Sequence, residues 1–387
     1  MSDVKSEQVR LHISGIDQPG VTASLTKVLY ENDARLISIG QSVLDGYLTL
    51  SAIVSIPEGS PILHKLLIAV SERGLKLDIG TYQQRKGAQS QAKSAEVSHI
   101  DTRAPTGLCI TMIGQQLGDG KATSGLTAFL ASQALTIGQI RTLSNDNFSG
   151  VEVICHPSTA SQSPATSSVA LGKNGLESLR RNIIMLGQEL GADVAVQRDD
   201  VFRRNKRLVC LDVDSTFAQG EFIDELAAAL GVKDKVAAIT KRAMQGDLDF
   251  RSALTERVTL LKGLPLEKMM KVVRETKLTP GAAPFVKTLK ALGFHVGLVS
   301  GGFDCFVNEL KDRHGLDFAF ANALEVEDGQ LTGRTTGTIV DSERKAQVLR
   351  DMCQVYSCRI EQSVAVGDGA NDINMLEAAG LGIAFRG

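Results

Sequence analysis

Three short apolar runs in the second half of the chain, RLVCLDVD, FHVGLVSGG and SVAVGDG, each end in aspartate or serine, with glycine close by. Their apolar character is continuous rather than alternating, as suits parallel strands buried on both faces. Helical segments separate them, so from Lys206 the chain reads as an α/β domain with a doubly wound parallel sheet. In such a sheet ligands gather outside the carboxyl ends of the strands, where the polar residues fall. Residues 218–276 follow the first run and carry helical pattern (FIDELAAAL, KVAAITKRAM, FRSALTERVTLL) without a comparable strand. They read as a helical cap inserted over the strand ends, able to exclude water.

The first half has a different grammar. VRLHISGI alternates, the turn DQPG follows, VTASLTKVLYEND has helical spacing, and ARLISIGQSVL and YLTLSAIVSI read as strands. This β-α-β-β order predicts an α+β unit with helices on one face of an antiparallel sheet. A fainter echo starts at Leu108: LCITMIG, GLTAFLASQAL, TIGQIRTLS and GVEVICHP, then the amphipathic LESLRRNIIMLGQELG and the strand ADVAVQRD. Two copies of one unit account for both stretches. Polar residues 84–105 are the expected boundary between them, and residues 158–168 a long loop inside the second.

Composition narrows the functional classes. A net charge of -2 with interleaved signs provides no electrostatic basis for nucleic acid or a membrane surface. Aromatics at 4% without Trp leave no base-stacking platform. No apolar run is long enough to span a bilayer, and the polar N-terminus lacks a signal core, so a cytoplasmic protein is expected. The Cys residues at 109, 155, 210, 305, 353 and 358 form no CxxC pair and read as reduced, buried small hydrophobes.

The chemistry lies at the three run ends. Asp212 and Asp214 are two positions apart, and acids so close need a cation or a shared proton. Alone, the pair suits a solvated strand terminus or helix cap equally well. Ser300 precedes Gly301 and Gly302, whose amides can face an anion, although a plain turn has the same sequence. In AVGDGAND, Asp368 and Asp372 are hard oxygen donors of the kind magnesium takes. Lys345 begins a helix that Asp341 or Ser342 can cap, and in this company it can neutralise crowded acids.

Asp212-Val213-Asp214-Ser215-Thr216, Ser300-Gly301-Gly302, Lys345 and Gly367-Asp368-Gly369-Ala370-Asn371-Asp372 resemble the four ordered motifs of the haloacid-dehalogenase superfamily. Glu221, the MQGDLDF segment, Arg257 and VSGGF narrow the resemblance to phosphoserine phosphatases. Gly15-Ile16-Asp17-Gln18-Pro19-Gly20 resembles ACT amino-acid-binding domains, and paired ACT domains before a phosphatase resemble actinobacterial enzymes, mycobacterial ones included. The organisation implied is residues 1–88 and 106–199 as two ACT-like domains and 206–387 as the phosphatase. Relatives continue past GLGIAF with a further helix and strand, so the resemblance implies a phosphatase domain truncated at Gly387.

The resemblance implies hydrolysis of O-phospho-L-serine, the last step of serine biosynthesis. Asp212 is the implied nucleophile and Asp214 the acid and base. Mg2+ is the implied cofactor, on Asp212, the Asp214 backbone carbonyl and Asp368, with Asp372 in support. Ser300, Gly301, Lys345 and Asn371 fall to the phosphoryl group, Arg257 to the serine carboxylate, Glu221 to its ammonium, and Met244 and Phe250 to an apolar lid. Asp17 and Gly20 are the implied effector residues, L-serine the implied effector, and a homodimer through side-by-side ACT sheets the implied assembly. A phosphoserine:homoserine phosphotransferase, a phosphatase for other phosphomonoesters or phosphoproteins, and an inactive amino-acid sensor are the alternatives.

Overall fold

The computed structural model describes residues 6–57, 59–82, 107–115, 117–144, 149–157, 173–245 and 247–385. The segments 84–105 and 158–168 lie outside the described residues, as does the side chain of Met244. The chain divides into two compact units, Met1–Asp200 and Val201–Gly387.

The first unit repeats one pattern twice. Its first copy runs β1 (Ser6–Ile16), α1 (Val21–Tyr30), β2 (Arg35–Leu44), β3 (Tyr47–Pro57), α2 (Ile62–Ser71) and β4 (Lys76–Thr81). The second runs β5 (Leu108–Ile113), α3 (Lys121–Ser132), β6 (Leu135–Thr142), β7 (Gly150–Pro157), α4 (Lys173–Leu190) and β8 (Asp193–Arg198). Val9, Leu11 and Ile13 of β1 are buried on one face, as alternation requires when only one face meets the helices.

The two copies share one antiparallel sheet, ordered β4-β1-β3-β2-β6-β7-β5-β8. The seam is β2 against β6, with Gly40 opposite Arg141, Gln41 opposite Ile140 and Ser42 opposite Gln139. Across the helical layer the Thr26 and Thr127 hydroxyls meet at 2.9 Å. The two copies within one chain thus pair side by side.

The second unit carries β9 (Leu208–Leu211), α5 (Phe222–Leu230), α6 (Lys233–Met244), α7 (Phe250–Thr259), α8 (Leu266–Glu275), α9 (Ala282–Ala291) and β10 (His295–Phe303). It continues with α10 (Asp304–His314), β11 (Phe318–Glu327), β12 (Gln330–Thr336), α11 (Ser342–Val355), β13 (Ser363–Gly367), α12 (Ile373–Ala378) and β14 (Leu381–Ala384). The sheet order is β12-β11-β10-β9-β13-β14, parallel except for the β11–β12 hairpin. All four residues of β9 are buried, which explains its unbroken apolar run. From β9 the sheet grows toward β10 on one side and β13 on the other, so the crevice at their carboxyl ends is a topological switch point.

Helices α5 to α8 form the cap. Its two connections to the core meet in a bridge between Ala218 and Leu278, and the Gln219 amide donates to Lys277 O at 2.8 Å. Leu254, Val258, Leu264 and Val273 of the cap join one buried cluster with Phe303 and Phe306 of the core. Phe222, at the start of α5, stacks on Phe306 with ring centroids 4.3 Å apart. Shared apolar contact therefore holds the cap over the strand ends.

Candidate active site

Asp212 and Asp368 directly follow the carboxyl ends of β9 and β13, and Ser300 lies in β10, beyond that strand's last pairing with β9 at Leu298. The Asp212 amide donates to Val366 O at 2.8 Å, tying the first loop to the third. The chain then turns sharply, with Ser215 in the left-handed region at φ 57°, and so bends Asp214 back over the site. One oxygen of Asp214 accepts the Phe222 N–H at 2.8 Å and the other the Ser300 hydroxyl at 3.3 Å. Gly302 has no room for a side chain, since a Cβ there would lie 2.8 Å from Asp214 Oδ2.

Lys345 is the electrostatic centre. A lysine at the start of a helix is ordinarily solvated, yet this one is 0% exposed. Asp341 caps α11 by accepting the Arg344 N–H at 3.0 Å, and Lys345, Val348, Leu349 and Met352 form its inward stripe. The ammonium reaches Asp212 Oδ1 at 2.6 Å and Asp372 Oδ1 at 2.7 Å. Burial alone would lower the Lys345 pKa; Asp212 and Asp372 reverse that and keep it charged.

Carboxylate oxygens of Asp212, Asp368 and Asp372 lie within 4.8 Å of one another. Three carboxylates against one ammonium leave two negative charges, which a divalent cation would balance with hard oxygen donors. A metal therefore fits here. Asp372 has both oxygens engaged, Oδ1 by Lys345 and Oδ2 by the Gly369 N–H at 3.1 Å, which suits a supporting place. Burial pushes Asp212 up to about 7 against the pull of Lys345, with Asp372 and Asp214 adding to the rise. Burial also pushes Asp214 up to about 6, helped by the charge of Glu221. A carboxyl with that value can carry a proton near neutrality and release it.

Glu221, Arg257, Phe250 and Asn371, also singled out from the sequence, belong to the same unit as this centre. Glu221 accepts the Ser215 hydroxyl at 3.3 Å, and partial burial, then Asp212 and Asp368, raise its pKa. Arg257 donates through Nε to Ala253 O at 3.3 Å; burial lowers its pKa while Glu221 and Asp224 pull it back. Phe250 covers the glycine loop so closely that a Cβ on Gly301 would lie 3.2 Å from the ring. The Asn371 side chain folds against Gly369. Two contacts carry no sequence signal beyond their motifs: Thr216 donates to Asp368 at 2.9 Å, and Arg251 of the cap pairs with Asp341 at 2.6 Å.

Asp17 and Gly20 lie in the first unit, at a cavity of about 10 Å³ also lined by Thr22, Gln41, Thr127 and Ile137. Gly20 adopts φ 80°, a conformation only glycine holds without strain. Gln41 accepts the Thr22 hydroxyl at 2.6 Å and donates to Ile137 O at 2.8 Å, bridging both copies. The corresponding turn of the second copy is filled: Leu117 is 1% exposed there, and Gly118 packs on Leu36 O.

Comparison with known proteins accords with this geometry. The haloacid dehalogenase-like hydrolase family matches residues 206–380, and the ACT domain family matches residues 7–81. A phosphoserine phosphatase of Mycobacterium tuberculosis is 39% identical over 382 residues, covering 98% of this chain and 86% of that protein. The chain belongs to the phosphoserine phosphatase family. A phosphoserine phosphatase of Streptomyces coelicolor is 38% identical over all of this chain and 87% of its own. A solved probable phosphoserine phosphatase from Vibrio cholerae aligns with TM-score 0.52 and 32% identity, over 72% of this chain and 78% of that one. The phosphoserine phosphatase fold thus supplies the frame on which the Asp212–Lys345–Asp372 cluster sits. Among the described residues, no helix is long and apolar enough to cross a membrane.

Proposed function

We propose that this chain hydrolyses O-phospho-L-serine to L-serine and phosphate, the last step of serine biosynthesis, with Mg2+ as its cofactor. The observation that carries the reading is the buried Asp212–Lys345–Asp372 cluster with Asp214 beside it. Asp212 is held ready by Lys345, which fixes one of its oxygens. Attack on phosphorus forms an acyl phosphate on Asp212 and breaks the bond to the serine oxygen, to which protonated Asp214 gives its proton. Asp214 then takes a proton from water as that water attacks phosphorus and frees Asp212. Asp212, Asp368 and the Asp214 carbonyl would hold the cation, which would supply positive charge to the phosphoryl oxygens. Lys345, Ser300 and the glycine loop supply donors to the same group, and Asn371 stands nearby.

Arg257 suits the serine carboxylate and Glu221 the ammonium, and their opposite charges on neighbouring cap positions support recognition of a zwitterion. Phe250 excludes water above the loop. The assay is release of phosphate and serine from O-phospho-L-serine with Mg2+, abolished by EDTA and restored by added Mg2+. Release from other phosphomonoesters but not from phosphoserine would overturn the substrate assignment. Transfer to added homoserine in preference to water would favour a phosphotransferase. Such a biosynthetic enzyme works in the cytoplasm, where its free thiols stay reduced.

L-Serine is the proposed effector, bound at the Asp17–Gly20 turn. A cavity of about 10 Å³ has room for one water, so serine must part α1 from β6 to enter. The filled second turn supports one such site per chain. Gly20→Val is expected to weaken serine inhibition about tenfold or more, equivalent to about 1.4 kcal/mol. Equal inhibition of variant and wild type would remove the assignment. A homodimer is the proposed assembly, and exposed Ile16, Leu44 and Tyr47 offer an apolar surface for it. A monomer by sedimentation at assay concentration would exclude it.

A further inference from the structure

The Ser300-Gly301-Gly302 loop is an irregularity in the sheet. β10 and β11 pair at Val299 with Phe320 and again at Phe303 with Asn322, so β10 advances four residues while β11 advances two. The bulge takes the half-buried Gly301 carbonyl out of the ladder, and it then needs another donor. Asn322 provides one. Its Nδ2 donates to Gly301 O at 2.8 Å and its Oδ1 accepts the Val340 N–H at 2.8 Å. The side chain is 1% exposed, and both ends of its amide are in use.

This bridge has a directional consequence. In a trans peptide the C=O and the following N–H point opposite ways. Anchoring the Gly301 carbonyl on Asn322 turns the Gly302 N–H the other way, where it donates to Ser300 Oγ at 2.8 Å. With that lone pair occupied, the Ser300 hydroxyl proton points to Asp214 at 3.3 Å. The far end of Asn322 holds Val340, next to the Asp341 cap of the helix that carries Lys345. One buried amide thus ties the phosphoryl-binding loop to the lysine helix.

We infer that Asn322 is a positioning residue for phosphoryl transfer, which sets the direction of the Ser300 and Gly302 groups and their place relative to Lys345. It touches none of the reacting atoms. The inference rests on the phosphatase reading, but on its phosphoryl half rather than on the identity of the leaving group. Asn322→Asp retains shape and the acceptor for Val340 but sets an oxygen against the Gly301 carbonyl. Asn322→Leu removes both bonds while keeping the same branching in a somewhat larger side chain.

Kinetics with O-phospho-L-serine and with para-nitrophenyl phosphate, on holoenzyme checked for folding by thermal melting, test this. Both variants are expected to lose about 10- to 100-fold in kcat, the cost of misplacement near the chemistry. KM for O-phospho-L-serine is expected to stay within about threefold, because the groups that hold serine are untouched. The Asn322→Asp deficit relative to wild type is expected to shrink as pH falls, since a protonated carboxyl can donate to Gly301 O. Folded variants with wild-type kcat, or an Asn322→Asp deficit that ignores pH and raises KM in parallel, would overturn the inference. If Asn322→Leu does not fold, Asn322→Asp decides alone. Wild-type activity on para-nitrophenyl phosphate without activity on phosphoserine would remove the substrate assignment and leave this comparison intact.

Discussion

Asp212→Asn is expected to keep its fold and lose phosphate release from O-phospho-L-serine by on the order of 10⁴-fold or more, as removal of a nucleophile does. The fold survives because the substitution removes one of three crowded carboxylates and leaves Lys345 paired with Asp372 at 2.7 Å. Burial already holds the Asp212 carboxyl up at about 7, so its neutral replacement relieves rather than strains the metal-free protein. Two readouts check this: a thermal midpoint no lower than wild type in EDTA, and activity at background with Mg2+. A variant that stays within about tenfold of wild type would show that another group attacks phosphorus.

Lys345→Met has the opposite signature. Removing the ammonium leaves Asp212 and Asp372, 3% and 0% exposed, facing each other without a counter-charge. Losing one partner of a buried pair costs about 3–5 kcal/mol, or roughly 10 °C in the melting of a unit of this size. The pH dependence follows from proton binding. A buried carboxyl whose pKa is raised above its unfolded value of 3.8 holds more protons folded than unfolded at pH values between the two. Its stability is complete below 3.8 and falls as pH rises through the folded value. The Lys345→Met deficit is therefore expected to be largest above neutrality and to shrink toward pH 5. Melting curves of the metal-free protein at several pH values check the slope. A deficit independent of pH would mean that lost packing, not lost charge, is responsible.

Much of the arrangement was legible in the sequence because the residues that carry it are also the residues that punctuate it. β9, β10 and β13 announce themselves as unbroken apolar runs, and Asp212, Ser300 and Asp368 fall where those runs stop. Helices α5 to α8 follow the periodicity of residues 218–276, and their Phe222, Val236, Leu254, Val258 and Val273 join one buried cluster with Phe303 and Phe306. The complete burial of Lys345 was not, because a lysine near a helix start has the same local sequence whether it faces water or two acids. Asn322 was silent for a related reason. It sits in FAFANALEVE as an ordinary interruption of an apolar strand, and its partners are a carbonyl and an amide, which leave no side-chain trace. The seam between β2 and β6 was equally hidden: the repeat was visible, but which edges would meet depends on side chains of both copies at once.

That seam changes what dilution can do. When a sensing pocket forms between separate subunits, its existence depends on protein concentration. Here the two halves of the pocket, Asp17–Thr22 from one copy and Leu135–Ile137 from the other, are joined by a single polypeptide. The tether fixes their effective concentration at a value set by chain length rather than by expression level. For the proposed L-serine site this means that the lining is complete within each single chain, in a scarce enzyme as in an abundant one.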